Sequence, residues 1–138
     1  MGKRGRVRQM EKRVAIVTGG GGGLGKATAE RLFKDGFSVT VVDRDGATAR
    51  AVAVTLDSRG KTARAYTLDV SSVSDVAVTL TAISSDLGVP TALVNNAGIY
   101  PDHALPDTPI EAWDQVMSVN LRRTFLCSDE CNRLSTRI

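Results

Sequence analysis

Apolar residues fall in short, near-continuous runs, separated by longer stretches in which they recur every three or four positions. Val14-Ala-Ile-Val-Thr18 is the first run, and Phe37–Asp43, Ala63–Leu68 and Thr91–Asn95 follow it. Continuous rather than alternating apolar character predicts parallel strands covered on both faces. Between the runs, Val73, Val76, Leu80, Ile83 and Leu87 mark one face of a helix, with Ser72 and Asp75 resembling a capping box at its start. Ala49, Val52 and Leu56 mark a shorter helix, and another runs from about Leu24 to Lys34. Gly36, Gly60 and Gly88 stand where a left-handed residue would end each helix. Thr108-Pro109-Ile110-Glu111 predicts a further start, with Thr108 as N-cap and Pro109 at the first helical position. The helix after it carries Trp113, Val116, Met117, Asn120 and Thr124 along one side. Strict alternation of strand and helix predicts an α/β fold, a doubly wound parallel sheet with right-handed crossovers.

Composition narrows the class. A chain of 138 residues with 42% hydrophobic and 24% charged residues suits one folded domain. Two cysteines, Cys127 and Cys131, are too few for a disulfide framework, and one histidine excludes multi-histidine metal chemistry. No apolar run is long enough to span a membrane, and no secretory signal precedes the domain, so a soluble cytoplasmic domain is expected. The net charge of +3 is concentrated at the start. Residues 1–13 hold six cations against Glu11, a net +5, which leaves −2 for everything after them. Residues 1–12 therefore read as a basic, disordered leader, and no specific nucleic-acid partner is expected.

The chemistry starts with Gly19–Gly23, Leu24 and Gly25, between the first strand and the helix after it. A phosphate-binding loop needs backbone that reaches positive φ and no side chains where the phosphates approach. The helix behind it offers unpaired N–H groups and the positive end of its dipole. Asp43 ends the next strand, 18 residues after Gly25, as a dinucleotide site requires. Two registers fit: Gly20-x-Gly22-x-x-Gly25, the general fingerprint, and Thr18-Gly19-x-x-x-Gly23-x-Gly25.

With these motifs in order, the chain resembles the short-chain dehydrogenase/reductase family from about Arg13 to Cys127. Thr18-Gly19-x-x-x-Gly23-Leu24-Gly25 matches that family's cofactor loop, which selects the second register. Asp43 matches its acidic residue, Leu68-Asp69-Val70 its adenine-contacting segment, and Asn95-Asn96-Ala97-Gly98 its signature after the fourth strand. Asn120-Leu121, seven residues after Trp113, matches the helix carrying its active-site asparagine. The resemblance implies a Rossmann-like sheet of order 3-2-1-4, a homo-oligomer, and hydride transfer between a nicotinamide cofactor and an alcohol or ketone. Asp43 would accept from the ribose hydroxyls and repel a 2′-phosphate, which favours NAD over NADP. Arg44 beside it is able to stack on adenine or answer a phosphate. Asp69 would accept from the adenine amino group, and one of Asn95 and Asn96 is expected to be scaffold.

The family's proton-transfer machinery is a serine and a Tyr-x-x-x-Lys pair. Four residues after Tyr66 stands Val70, and four after Tyr100 stands Ala104, so neither tyrosine forms that pair. The resemblance places these groups beyond Asn120, and this sequence reads as the cofactor-binding half, shortened after about four strands. Arg123 stands where the family commonly has glycine, and residues 128–138 read as a divergent polar end. The expectation is an unprotected fourth strand and thin cover for Trp113 and Phe125. Two readings follow: an oxidoreductase shortened to its cofactor half and inactive as written, or a non-catalytic NAD-binding module partnering a full-length relative.

Overall fold

The computed structural model describes residues 12–102 and 104–136, so most of the basic leader lies outside the described residues. Four strands, β1 (Val14–Thr18), β2 (Ser38–Asp43), β3 (Ala63–Thr67) and β4 (Ala92–Val94), form one parallel sheet in the order β3-β2-β1-β4. Helices α1 (Gly23–Lys34), α2 (Gly46–Leu56) and α3 (Val73–Leu87) make the crossovers. After β4 come a 3-10 turn (Leu105–Asp107), α4 (Ile110–Val116), one π-helical turn (Met117–Leu121) and α5 (Arg122–Thr136).

Why the central strands read as near-continuous apolar runs is visible in the two cores. Val17, Val39 and Val41 face Ala29 of α1 and Ala49, Val52 and Ala53 of α2. Ile16 and Val42 point the other way, into Leu80 and Ile83 of α3 and Cys127 and Leu134 of α5. Successive strand residues alternate between faces, and both faces are covered, so every position of β1 is buried. β4 is the half-buried edge, paired with β1 alone among the described residues.

The caps explain where the helices begin. Ser72 Oγ accepts from Asp75 N–H at 3.4 Å, as expected for α3. The cap of α2 is Asp45, whose Oδ1 accepts from Ala47 and Thr48 N–H at 3.0 and 3.2 Å. One start differs from expectation. Thr108 does not cap α4: its Oγ1 donates back to Ala104 O at 3.0 Å, closing the 3-10 turn, and extended Pro109 takes the N-cap place. The polar segment after Cys127 is a continuous helix to Thr136, held by an Arg133–Asp129 pair at 2.9 Å and buried Leu134.

On α4, the π turn and α5, Ile110, Trp113, Met117, Leu121 and Phe125 recur every three or four residues and are exposed. Trp113 and Phe125 are 52% and 66% exposed, in line with their expected lack of cover. Among the described residues no helix is long and apolar enough to cross a membrane, and no cluster of metal-ligating side chains occurs.

The turn between α2 and β3 carries a pH-dependent fastening. Asp57 Oδ2 accepts from Thr62 N–H at 2.7 Å, Thr62 Oγ1 at 2.9 Å and Lys61 N–H at 2.8 Å, while Oδ1 accepts from Arg59 N–H at 3.0 Å. These donors, Thr62 first, pull its pKa from 3.8 down to about 2. Because the folded value is the lower one, the carboxylate's contribution is complete above the unfolded pKa and disappears as pH falls through about 2. Followed by NMR, the Thr62 amide resonance is expected to titrate with a midpoint near 2; a midpoint near 3.8 would show the bonds absent in solution.

Candidate functional site

Strand order reverses direction at β1: β2 and β3 lie to one side of it and β4 to the other. In an open α/β sheet, the loops leaving the carboxyl ends of strands on either side of that point splay apart and leave a crevice. Here a cleft of about 370 Å³ opens at this place. Gly19 and Gly22 after β1, Asp43 and Arg44 at the end of β2, and Asp69 and Val70 after β3 line it. Asn96, Gly98 and Ile99 after β4 complete the far wall, with Arg123 of α5.

The geometry of the glycine loop bears on the choice between its two registers. Gly19 and Gly23 have φ of +63° and +53°, in the left-handed region. Gly25 lies against the loop itself: a Cβ there would overlap Gly19 O and stand 2.5 Å from Asn96 Nδ2. Positive φ at Gly19 and Gly23 and the crowding at Gly25 fit the Thr18-Gly19-x-x-x-Gly23-x-Gly25 register, whereas Gly22 of the other register has room for a Cβ. A Cβ on Gly22 or Gly23 would meet nothing within 4 Å, so open space lies over the start of α1. No side chain caps that helix end and no acid sits in its first turn. An anion would therefore meet unpaired N–H groups and the positive end of the dipole.

Thr18 and Asn96 hold the loops on either side of the switch point together. Thr18, 2% exposed, donates from Oγ1 to Val94 O at 3.3 Å and accepts from Asn96 and Ala97 N–H, both at 3.1 Å. Asn96 Nδ2 donates to Gly19 O at 3.0 Å. Asn95 turns the other way, its Nδ2 donating to Ser128 Oγ at 3.2 Å, so it ties β4 to α5.

Asp43 faces the cleft with its carboxylate pre-set: Oδ2 accepts from Gly21 N–H and Oδ1 from Asp45 N–H, each at 3.0 Å. Each oxygen keeps a further lone pair for a ligand hydroxyl. Asp69 accepts both Ser71 donors on Oδ1, at 3.0 Å from N–H and 2.6 Å from Oγ. Those bonds, and then the charges of Arg123 and Arg44, hold its carboxyl below the usual range.

Asn120 sits in the π turn, and its amide closes a two-bond clamp on a single residue. Ile99 N–H donates to Oδ1 at 2.8 Å, and Nδ2 donates to Ile99 O at 2.9 Å. A π turn shifts one residue out of helical phase, and such turns often sit at functional sites. The clamp fixes the loop that carries Gly98 and Ile99 into the cleft wall. Leu24, in contrast, is 80% exposed and lies outside the cleft lining.

Sequence reasoning missed Val42 and Ile99 as lining residues, although each adjoins a motif. It also gave Arg123 no role at the site. Its one signal was an arginine in place of the glycine common at that position.

The chain is 35% identical over 120 residues to 2-(S)-hydroxypropyl-CoM dehydrogenase 3 of Xanthobacter autotrophicus, a match covering 87% of this chain and 47% of that protein. Among solved structures, 3-ketoacyl-(acyl-carrier-protein) reductase from Brucella melitensis complexed with NADH is similar at 36% identity, with a TM-score of 0.77. That match covers 86% of this chain and 48% of the other. RhlG of Pseudomonas aeruginosa, in an NADP active-site complex, is similar at 31% identity and a TM-score of 0.79, over 88% of this chain and 47% of the other. The chain spans about half the length of the relatives it matches. The family model for short chain dehydrogenases matches residues 13–135, and the chain belongs to that family.

Proposed function

We propose that this chain supplies the dinucleotide-binding part of an oxidoreductase that passes hydride between a nicotinamide cofactor and an alcohol or ketone, with NAD preferred over NADP. The observation that carries the reading is the convergence of an open glycine loop, an uncapped helix start and a backbone-held carboxylate on one cleft. The pyrophosphate would lie over Gly22 and Gly23 against α1, where no side chain intrudes. Asp43 would accept from the adenosine ribose hydroxyls, and its charge opposes a 2′-phosphate. Bound there, a nicotinamide cofactor supplies the hydride acceptor or donor. The chain's own part is to orient it through Thr18, Asn96 and the Asn120 clamp on Ile99.

The residues present contain no Tyr-x-x-x-Lys pair. A phenol of ordinary pKa of about 10 is a poor base at neutral pH without a neighbouring cation. These 138 residues, tested by themselves, are therefore expected to bind the cofactor without turning over an alcohol.

The NAD preference rests on charge and is tested through it. The chain is expected to bind NADH at least about tenfold more tightly than NADPH. Asp43→Ser removes the repelling charge while leaving Arg44 able to pair with a phosphate, and should bring the ratio close to one. Equal affinities in the unaltered chain, or a ratio untouched by Asp43→Ser, would overturn the assignment of Asp43.

A further inference from the structure

Arg123 is a charged side chain folded into the cleft wall. Its side chain is only 12% exposed, and it lines the cavity together with Asp69, Val70 and Ile99. Nε is sealed from solvent and has no hydrogen-bond partner among the described residues. Nη2 stands 3.8 Å from Asp69 Oδ1, an ion pair too long for a hydrogen bond. A guanidinium carries five donors in a rigid fork, and withdrawing its Nε–H from water without an acceptor is costly. Nor is it needed as a strut. Arg122 already fastens α5 to the turn after β3, its Nη1 donating to Ser71 O at 3.1 Å.

Asp69 completes the pattern. Both Ser71 donors go to Oδ1, which leaves Oδ2 of a half-exposed carboxylate available to a ligand donor. An acceptor and a donor fork thus stand side by side on the cleft wall. Adenine presents the complement on one edge, an amino donor flanked by ring-nitrogen acceptors. A phosphate on Arg123 would instead lie beside the Asp69 carboxylate and be repelled by it.

We infer that Arg123 is a specificity-determining residue at the base end of the cleft, donating to a ring nitrogen of the adenine whose amino group Asp69 accepts. This rests on the dinucleotide reading proposed above and adds a base-reading partner to it.

The test uses the full 138-residue chain with Arg123→Met, which keeps an unbranched stem, and Arg123→Lys, which keeps the charge but loses the fork. Three probes separate the outcomes: NADH, NADPH and reduced nicotinamide mononucleotide, which has no adenine. Arg123→Met is expected to weaken NADH and NADPH alike by roughly tenfold or more, with Arg123→Lys in between. Mononucleotide binding should stay unchanged, and the thermal midpoint should hold or rise, because a buried Nε–H without an acceptor has gone. Unchanged NADH affinity, or an equal loss for the mononucleotide, would overturn the inference. A loss confined to NADPH would do the same, by placing the guanidinium on a 2′-phosphate. An unaltered chain that binds none of the three probes would fail the dinucleotide reading itself, a result distinct from any of these.

Discussion

Gly25→Ala is expected to abolish most NADH binding while leaving a chain with native secondary structure. The added Cβ would overlap Gly19 O and crowd Gly19 C at 2.8 Å and Asn96 Nδ2 at 2.5 Å. Two of those atoms are backbone, so neither a rotamer change nor a small side-chain shift relieves the clash. The loop must lift away from α1, breaking the Asn96–Gly19 bond and moving the two positive-φ glycines out of register. Overpacking of this sort costs about 1–3 kcal/mol of stability. The loss of NADH affinity should exceed about tenfold, since the loop geometry is what the phosphates would meet. Gly22→Ala is the matched control. Its φ of −168° suits any residue, and its Cβ meets nothing within 4 Å, so unfolding should be unaffected. Binding should nevertheless weaken, because the added methyl enters the space proposed for the pyrophosphate. Equal NADH affinity for Gly25→Ala and the unaltered chain, by fluorescence titration, would remove the loop from the site.

Thr18→Val should produce the largest loss of stability from a single isosteric change. Valine keeps the shape but removes one donor and one acceptor from a site 2% exposed. Ala97 N–H would lose its acceptor, while Asn96 N–H and Val94 O would keep only the bond between them, all at the point where the β1 and β4 loops meet. One orphaned buried N–H costs about 1–3 kcal/mol, and a loss of about 2 kcal/mol is expected. Urea unfolding followed by circular dichroism checks this. A shift below about 0.5 kcal/mol would mean that water or a rearranged loop replaces the hydroxyl. Thr18→Ser, which keeps the hydroxyl, should recover most of the loss.

Those two positions show what a sequence makes legible. Parallel strands buried on both faces are mostly apolar, so β1 and β2 stand out as near-continuous runs broken only by Thr18, Ser38, Thr40 and the terminal Asp43, and the glycine–helix junction follows from their spacing. The sheet order came with the motif resemblance. Features that depend on competition between partners did not show. Asp45 and Thr108 are both good caps by type; Asp45 takes the role, whereas Thr108 spends its hydroxyl on Ala104 O. The π turn around Asn120 has no signature in its residues, and the loop that Asn120 clamps at Ile99 is distant in sequence. Helix α5 beyond Cys127 carries few apolar residues, and it is fastened by buried Leu134, by Cys131 packed against the core, and by an i,i+4 ion pair on its surface. Arg123 reads as one more surface arginine until α5 is folded over the cleft.

The most direct test of the cleft as a dinucleotide site is an amide-resolved NMR titration of the 138-residue chain with NADH. The expected result is saturable binding. The largest shifts should fall on Gly19–Gly25, on Asp43 and Arg44, on Asp69 and Val70, and on Asn96–Ile99, while the α2–β3 turn at Asp57–Thr62 stays still. Saturation with those amides unmoved, or shifts centred on the far end of the sheet, would contradict it.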